Sequence, residues 1–553
     1  MRLYKVAVPL VVFGLVVSGC SGGDDDLGQA GSNAVGASSD INPKSPDELR
    51  DGGNLRLANT TYPSTFNTWN IDSDGEVSEV VTPMMPQSYR VDDKGELTVD
   101  PDYFTSIELT STEPQQVTYT INPKATWTNG RPIDWTDLAA QFNALNGRDQ
   151  GFLITASVGF DRVEKVERGV DDRQAVVTFN QHYAEWKGQY GILYPKEVMA
   201  TPDSFNNSVR DNLPITAGPF QIQSLDVGQK RVVLGRNPNW WGDKPKLDTI
   251  TFSALDISAW VQALQNDELD VVDTLSRDDI KTVRSAPGIA VRRSAAPRFS
   301  HLTFNGAPGS IVADPKLRVA IMKGIDRQGI ATALQNGVVE NPKPLNSHIF
   351  MNGQVGYQDN AGIIAYDPTE AAKQLDDLGW KLVGDVREKD GKKLEIRDVM
   401  LQQDSWVQVA QIMQQNLAAI GVKLIIDTQP AQGLFTDVID PGNFDVAQFS
   451  WSASALPLGA LQQIYYFDPN DMKGNKGRIG SKEINDLIDK TISELDPQKA
   501  IEMANEIDKL IFAEGFSMPF YQSAGNVAVR DTLANYGAFG LASIDYTKIG
   551  FVK

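Results

Sequence analysis

The chain has 553 residues, with 51 Lys plus Arg, 71 Asp plus Glu, 3 His and a single Cys. At roughly 150 residues per domain the length suggests about three to four domains, and a composition 41% hydrophobic and 22% charged excludes a disordered, collagenous or coiled-coil chain. A net charge of −20 argues against a phosphate-binding surface and hence against a nucleic-acid partner, and one Cys excludes both an internal disulfide and a Cys-based zinc knot.

The first twenty residues read MRLYKVAVPLVVFGLVVSGC. Arg2 and Lys5 make a short positive start, and Val6–Val17 is an apolar run of about a dozen residues. That is too short to span a bilayer, which takes about 20 residues. Small residues lead up to Cys20. The pattern is similar to a bacterial lipoprotein signal, which implies removal of residues 1–19 and lipidation of Cys20. Each buried methylene of the acyl chains adds about 0.8 kcal/mol to such an anchor. Residues 20–50 are rich in Ser, Gly, Ala, Asn and Asp and predict a flexible tether with a reach of about 30 Å. The Asp24–Asp26 run reads as solvated linker, because no spaced oxygen ligands follow it.

The folded body is expected from residue 51. Gly53–Asn59 alternates apolar and polar residues and predicts a strand, followed by a polar, aromatic loop, YPSTFNTWN, from Tyr62 to Asn70. Thr118–Ile121 and Gln174–Phe179 predict strands, and Asp134 with Asp137 three residues later predicts a capped helix start. Pro219–Leu225 and Arg231–Arg236 predict a hairpin. Asp367-Pro368 opens a helix that Gly379 ends. Asp404–Ile420 carries Val409, Ile412, Met413 and Leu417 at helical spacing, and Val422–Asp427 is a strand. Phe444–Phe449 predicts another strand, with Trp451 in the loop after it. Ser481–Leu495 and Pro497–Glu514 predict amphipathic helices. Strands and helices mix throughout, so the fold class is α/β.

No nucleophile elbow, Walker loop, dinucleotide glycine motif or HExxH pair is present, and His182, His301 and His348 are too dispersed for a metal motif. No catalytic residue, metal or cofactor is therefore expected. Of the ten Trp, Trp69 and Trp451 stand in polar loops after strands, where α/β sheets place ligands.

Ordered segments resemble the extracellular substrate-binding proteins of ABC importers, family 5, the dipeptide and oligopeptide type. They are Thr118–Leu138 (TYTINPKATWTNGRPIDWTDL), Thr216–Leu247 with its GPF hairpin and RNPNWWG, Ala263–Val271 (ALQNDELDV), Leu302–Asn305 with Leu317–Ile330, Tyr366–Gly379, and Gln414–Gly421. Each is weak alone, but together they run in order along nearly the whole chain. Most of these motifs are scaffold, Trp240 and Trp241 included.

The resemblance implies a two-lobed, periplasmic-binding-protein-like (Venus-flytrap) α/β fold with an extra subdomain. Lobe I is expected from 51–83, 213–297 and 517–553, the extra subdomain from 84–212, and lobe II from 298–516. It implies a monomeric receptor, not an enzyme, on the outer face of the cytoplasmic membrane. Peptide or peptide-like ligand would be captured between the lobes and delivered to an ABC permease driven by separate ATPase subunits. Expected ligand contacts are Tyr62, Phe66, Trp69, Asn305, Trp406, Trp451, Ser452 and Ser454. Peptide binders of the family carry an Asp three residues after the Trp, paired with the peptide amine; here that position is Ser454, and Ser450–Gln463 holds no acid. Asp404 or Asp72 is the expected substitute, or the ligand lacks a free amine. Some family-like lipoproteins act instead in cell-envelope glycolipid synthesis, which is the alternative function.

Overall fold

A computed structural model describes residues 39–553 except 158, 274 and 473; the expected signal segment, Cys20 and most of the expected tether lie outside the described residues. Residues 40–50, expected to belong to the tether, are fixed in the fold. Asp40 N–H donates to the Ala538 carbonyl at 2.8 Å, Arg50 N–H to Phe551 at 2.9 Å, and Leu49 is only 1% exposed. Residues 40–50 are thus fastened to the C-terminal segment by backbone bonds, which composition does not encode.

The first strand, β1 (Asn54–Asn59), pairs parallel with Thr249–Ala254 in a four-stranded sheet completed by the hairpin Phe220–Asp226 and Arg231–Arg236. A separate antiparallel sheet holds Phe104–Thr112, Gln115–Ile121, Gln174–Phe179 and Val163–Arg168, in the spatial order 104–112, 115–121, 174–179, 163–168. Helix α1 (Trp135–Leu145) packs on it. Its start is organised around Asp137, which is fully buried. Asp137 accepts from Trp127 Nε1 at 3.1 Å, from Arg131 at 2.6 and 2.9 Å, and from Lys196 N–H at 2.9 Å, and with Asp134 closes a capping box. The WTNGRPIDWTD motif is therefore a structural knot. RNPNWWG is similar: Asn237 donates to the Gly218 carbonyl at 2.8 Å, and Trp240 and Trp241 pack on Tyr103. Gly218 passes so close to Pro83 and Met84 that any side chain would collide with their backbone.

The third sheet has six strands. In chain order these are β2 (Val271–Val272), β3 (Ile289–Phe304), β4 (Glu395–Leu401), β5 (Lys423–Gln429), β6 (Val446–Ser452) and β7 (Ser517–Arg530), arranged β2-β7-β3-β6-β4-β5. The long strands β3 and β7 run antiparallel, and beside the outer parts of that ladder β6, β4 and β5 are mutually parallel. Helices α2 (Pro315–Lys323), α3 (Pro368–Asp377), α4 (Asp404–Ala418), α5 (Lys482–Thr491) and α6 (Pro497–Ala513) supply apolar faces to the core around this sheet. The Asp367 and Asp496 side chains cap α3 and α6, each with Pro at the first helical position.

Two expectations shift. The strand read as Phe444–Phe449 spans Val446–Ser452, because Arg298–Phe304 pairs with it rung by rung as far as Ser452. Trp451 and Ser452 thus stand within a strand. No helix of the described residues is long and apolar enough to cross a membrane.

Candidate functional site

Three parallel strands, β4, β6 and β5, place their carboxyl ends, Leu401, Ser452 and Gln429, on one edge of the third sheet. Such an edge is where α/β sheets hold ligands. Because β3 runs antiparallel to β6, Arg298 opposes Ser452 and reaches the same edge. Trp406, in the first turn of α4, follows β4 there.

The aromatic side of this edge is Trp451. Its ring lies 5.4 Å from Phe449 edge-on and 6.2 Å from the parallel His301 ring. His301 is sealed below it, and burial holds its imidazole neutral, with a pKa pulled down to about 3. Trp406 is half-buried and joins none of the apolar clusters. Ser452 is exposed. Ser454 is also exposed, but its hydroxyl donates to the Leu456 carbonyl at 2.7 Å and accepts the Leu456 N–H at 3.1 Å, shaping its own turn. Its carbonyl accepts from Gln354 at 3.0 Å.

The other expected contacts divide differently. Phe66 is 0% exposed within the apolar core shared by the first two sheets, and Asn305 spends its amide nitrogen on the Gly442 and Phe444 carbonyls at 3.0 and 2.9 Å. In this structure Phe66 is a sealed ring and the Asn305 amide nitrogen is already bonded to backbone carbonyls. Trp69 is half-buried against the same core and donates to the Ile192 carbonyl at 3.2 Å. Tyr62 is half-buried, and burial with nearby Asp211 and Asp226 raises the pKa of its hydroxyl. The structure therefore gathers Trp406, Trp451, Ser452 and Ser454 at one edge. Tyr62, Phe66 and Trp69 sit in the loop after β1, and Asn305 at the far end of β3.

Of the two substitute acids, Asp72 is already paired with Arg210 at 2.7 Å. Asp404 opens α4 at the candidate edge, is exposed, and has no ion pair among the described residues.

The sequence reading missed a feature of β3. Its register with β7 slips between Ala295 and Phe299, so Ala296, Pro297 and Arg298 stand opposite Ser523 alone. Gln522 stitches this bulge, donating to the Ala296 carbonyl at 3.0 Å and accepting from Asn352 N–H at 3.1 Å. Pro297 within an otherwise strand-like run was the available signal.

Comparison with known proteins agrees with this architecture. Residues 98–473 match the family model for bacterial extracellular solute-binding proteins, family 5. The chain is 49% identical over 558 aligned positions to the oligopeptide-binding protein OppA of Mycobacterium tuberculosis, covering 100% of this chain and 94% of that one. Among solved structures, the periplasmic EDTA-binding protein EppA aligns with a TM-score of 0.84 at 24% identity, covering 95% of this chain and 100% of that one. The oligopeptide-binding protein AppA of Bacillus subtilis, in complex with a nonapeptide, aligns with a TM-score of 0.71 at 18% identity, covering 91% of this chain and 100% of that one. These likenesses establish a two-lobed periplasmic-binding-protein fold. The chain belongs to the bacterial extracellular solute-binding proteins, family 5.

Proposed function

We propose that this protein is the solute-capturing receptor of an ABC importer and that its ligand is a peptide or peptide-like molecule. The observation that carries this reading is the 49% identity, along the whole of this chain, with an oligopeptide-binding protein. The sheet edge at the end of β6 supports it, with the Trp451 ring on one face and the Ser452 hydroxyl on the other, a mix of aromatic and polar groups that suits an adaptable ligand.

The protein binds without covalent chemistry. Residues 51–83, 213–297 and 517–553 form one lobe, 84–212 the extra subdomain and 298–516 the second lobe. Ligand settles between the lobes at the β6 edge. The bulge at Ala296–Arg298 is the hinge, because it breaks the ladder of β3 with β7 where β3 leaves the first lobe for the second, between residues 297 and 298. Closure buries the ligand, and the closed monomer docks on a permease whose ATPase is a separate chain. Lipid on Cys20 holds the receptor at the outer face of the membrane, where a tether raises the effective concentration at the permease.

Mass spectrometry of small molecules released by denaturing the full-length protein, purified in detergent, tests this. Peptides are the expected release, and calorimetric titration of the released species back into emptied protein should restore binding. Release of a glycolipid alone would overturn the peptide reading.

A further inference from the structure

One face of the β3–β6 ladder changes character along its length. Phe304, Val446 and Leu302 point into the apolar core around the third sheet, and Gln448, opposite Leu302, donates to Asp398. The next rung is Ser300 with Ser450, whose hydroxyls are 3.3 Å apart, which places both on this face. The last rung is Arg298 with Ser452, both exposed. The face therefore runs from apolar Phe304, Val446 and Leu302, with the Gln448 amide bonded to buried Asp398 at 2.6 Å, through a rung of hydroxyls to a guanidinium.

That guanidinium is free. Among the described residues the Arg298 side chain makes no ion pair and no hydrogen bond, unlike the arginines that build the scaffold. Arg318 and Arg327 are buried and donate to backbone carbonyls of Glu514 and Val312, and of Leu345 and Pro519. Arg387 donates to the Ile420 and Trp380 carbonyls. The bulge takes Arg298 out of register with β7 while leaving it paired with Ser452, and bulges commonly re-aim a side chain at a binding site. A planar guanidinium beside hydroxyl donors matches a carboxylate, which it binds through two parallel hydrogen bonds.

We propose that Arg298, with Ser452, binds a carboxylate of the ligand, so that recognition at this edge reads a negative group where an acid for the peptide amine is missing. The inference rests on the peptide-receptor reading and names the polarity of its site. The test uses full-length protein and three pools of tri- to pentapeptides: free-acid peptides without Asp or Glu, the same peptides C-terminally amidated, and amidated peptides with one internal Glu. The first and third pools separate a terminal from a side-chain carboxylate.

Wild-type protein should bind at least one carboxylate-bearing pool tenfold or more tighter than the uncharged amidated pool. Arg298→Gln should erase that preference, and Arg298→Lys should retain part of it, with unchanged thermal midpoints because the residue is exposed and unpaired. Equal binding of all pools by wild type, or a preference that survives in Arg298→Gln, overturns the carboxylate assignment and leaves the receptor reading standing. Binding of none of the pools overturns both.

Discussion

Glu185 clamps Leu458. Its carboxylate accepts the Leu458 and Gly459 N–H groups, each at 2.7 Å, from a residue 273 positions earlier in the chain. Neighbouring bonds join the same two regions: Ala184 N–H donates to Ile492 at 2.8 Å, and Arg162 to the Ser493 hydroxyl at 3.2 Å. Leu458 and Gly459 belong to the turn that follows Trp451 and Ser454, so the clamp fixes the loop leaving the candidate edge.

This contact sets a pH dependence. Burial pushes the Glu185 pKa up from 4.5 to about 7, against the opposing pull of the two N–H donors. A folded-state pKa above the unfolded one means that the folded protein holds the proton more tightly. The stabilisation is full below pH 4.5 and is lost as pH rises to about 7. The melting temperature of wild type minus that of Glu185→Gln should therefore fall across this window and level off above it. A flat difference from pH 4 to 8 would show that the carboxyl does not titrate there.

Trp451 and Trp69 should separate binding from stability. Trp451→Ala removes the ring at the sheet edge and should weaken ligand binding about tenfold or more. Trp69→Ala deletes a half-buried ring bonded to Ile192 and should cost about 2 kcal/mol of stability with affinity nearly unchanged. Calorimetric titration and denaturant unfolding of both variants check this. An affinity loss confined to Trp69→Ala would relocate the site to the loop after β1.

Asp404 is the acid at the edge with no ion pair among the described residues. If it receives a peptide amine, Asp404→Asn should weaken free-amine peptides about tenfold, the scale of one charge-assisted hydrogen bond, and leave N-acetylated peptides unaffected. Equal losses for both peptide types would remove Asp404 from amine recognition.

Asp137 tests the scaffold. Asp137→Ala orphans Trp127 Nε1 and the Lys196 N–H and strips Arg131 of its buried partner. Denaturant unfolding should show a loss of about 3–5 kcal/mol. A loss below 1 kcal/mol would mean that water replaces the carboxylate.

Much of the fold was legible in local patterns. The caps at Asp134, Asp367 and Asp496, and the hairpin 220–236, act over a few residues, so their signals survive in a linear reading. The WTNGRPIDWTD and RNPNWWG segments were legible as scaffold for the same reason. The candidate site was only half legible. Trp451 and Ser452 were expected in a loop, and the residue of β3 that pairs with Ser452, Arg298, lies 154 positions earlier in the chain.

The amino-acid order alone settled the α/β class, the family and the missing acid after Trp451, because each is a property of residue type and short spacing. Folding in three dimensions decided which aromatic rings are sealed, which acid is spent on Arg210, and that Arg298 is left free beside Ser452. Those outcomes depend on strand register and on burial between distant segments. A one-residue slip in register turns a side chain to the other face of the sheet, and nothing local in the chain records it.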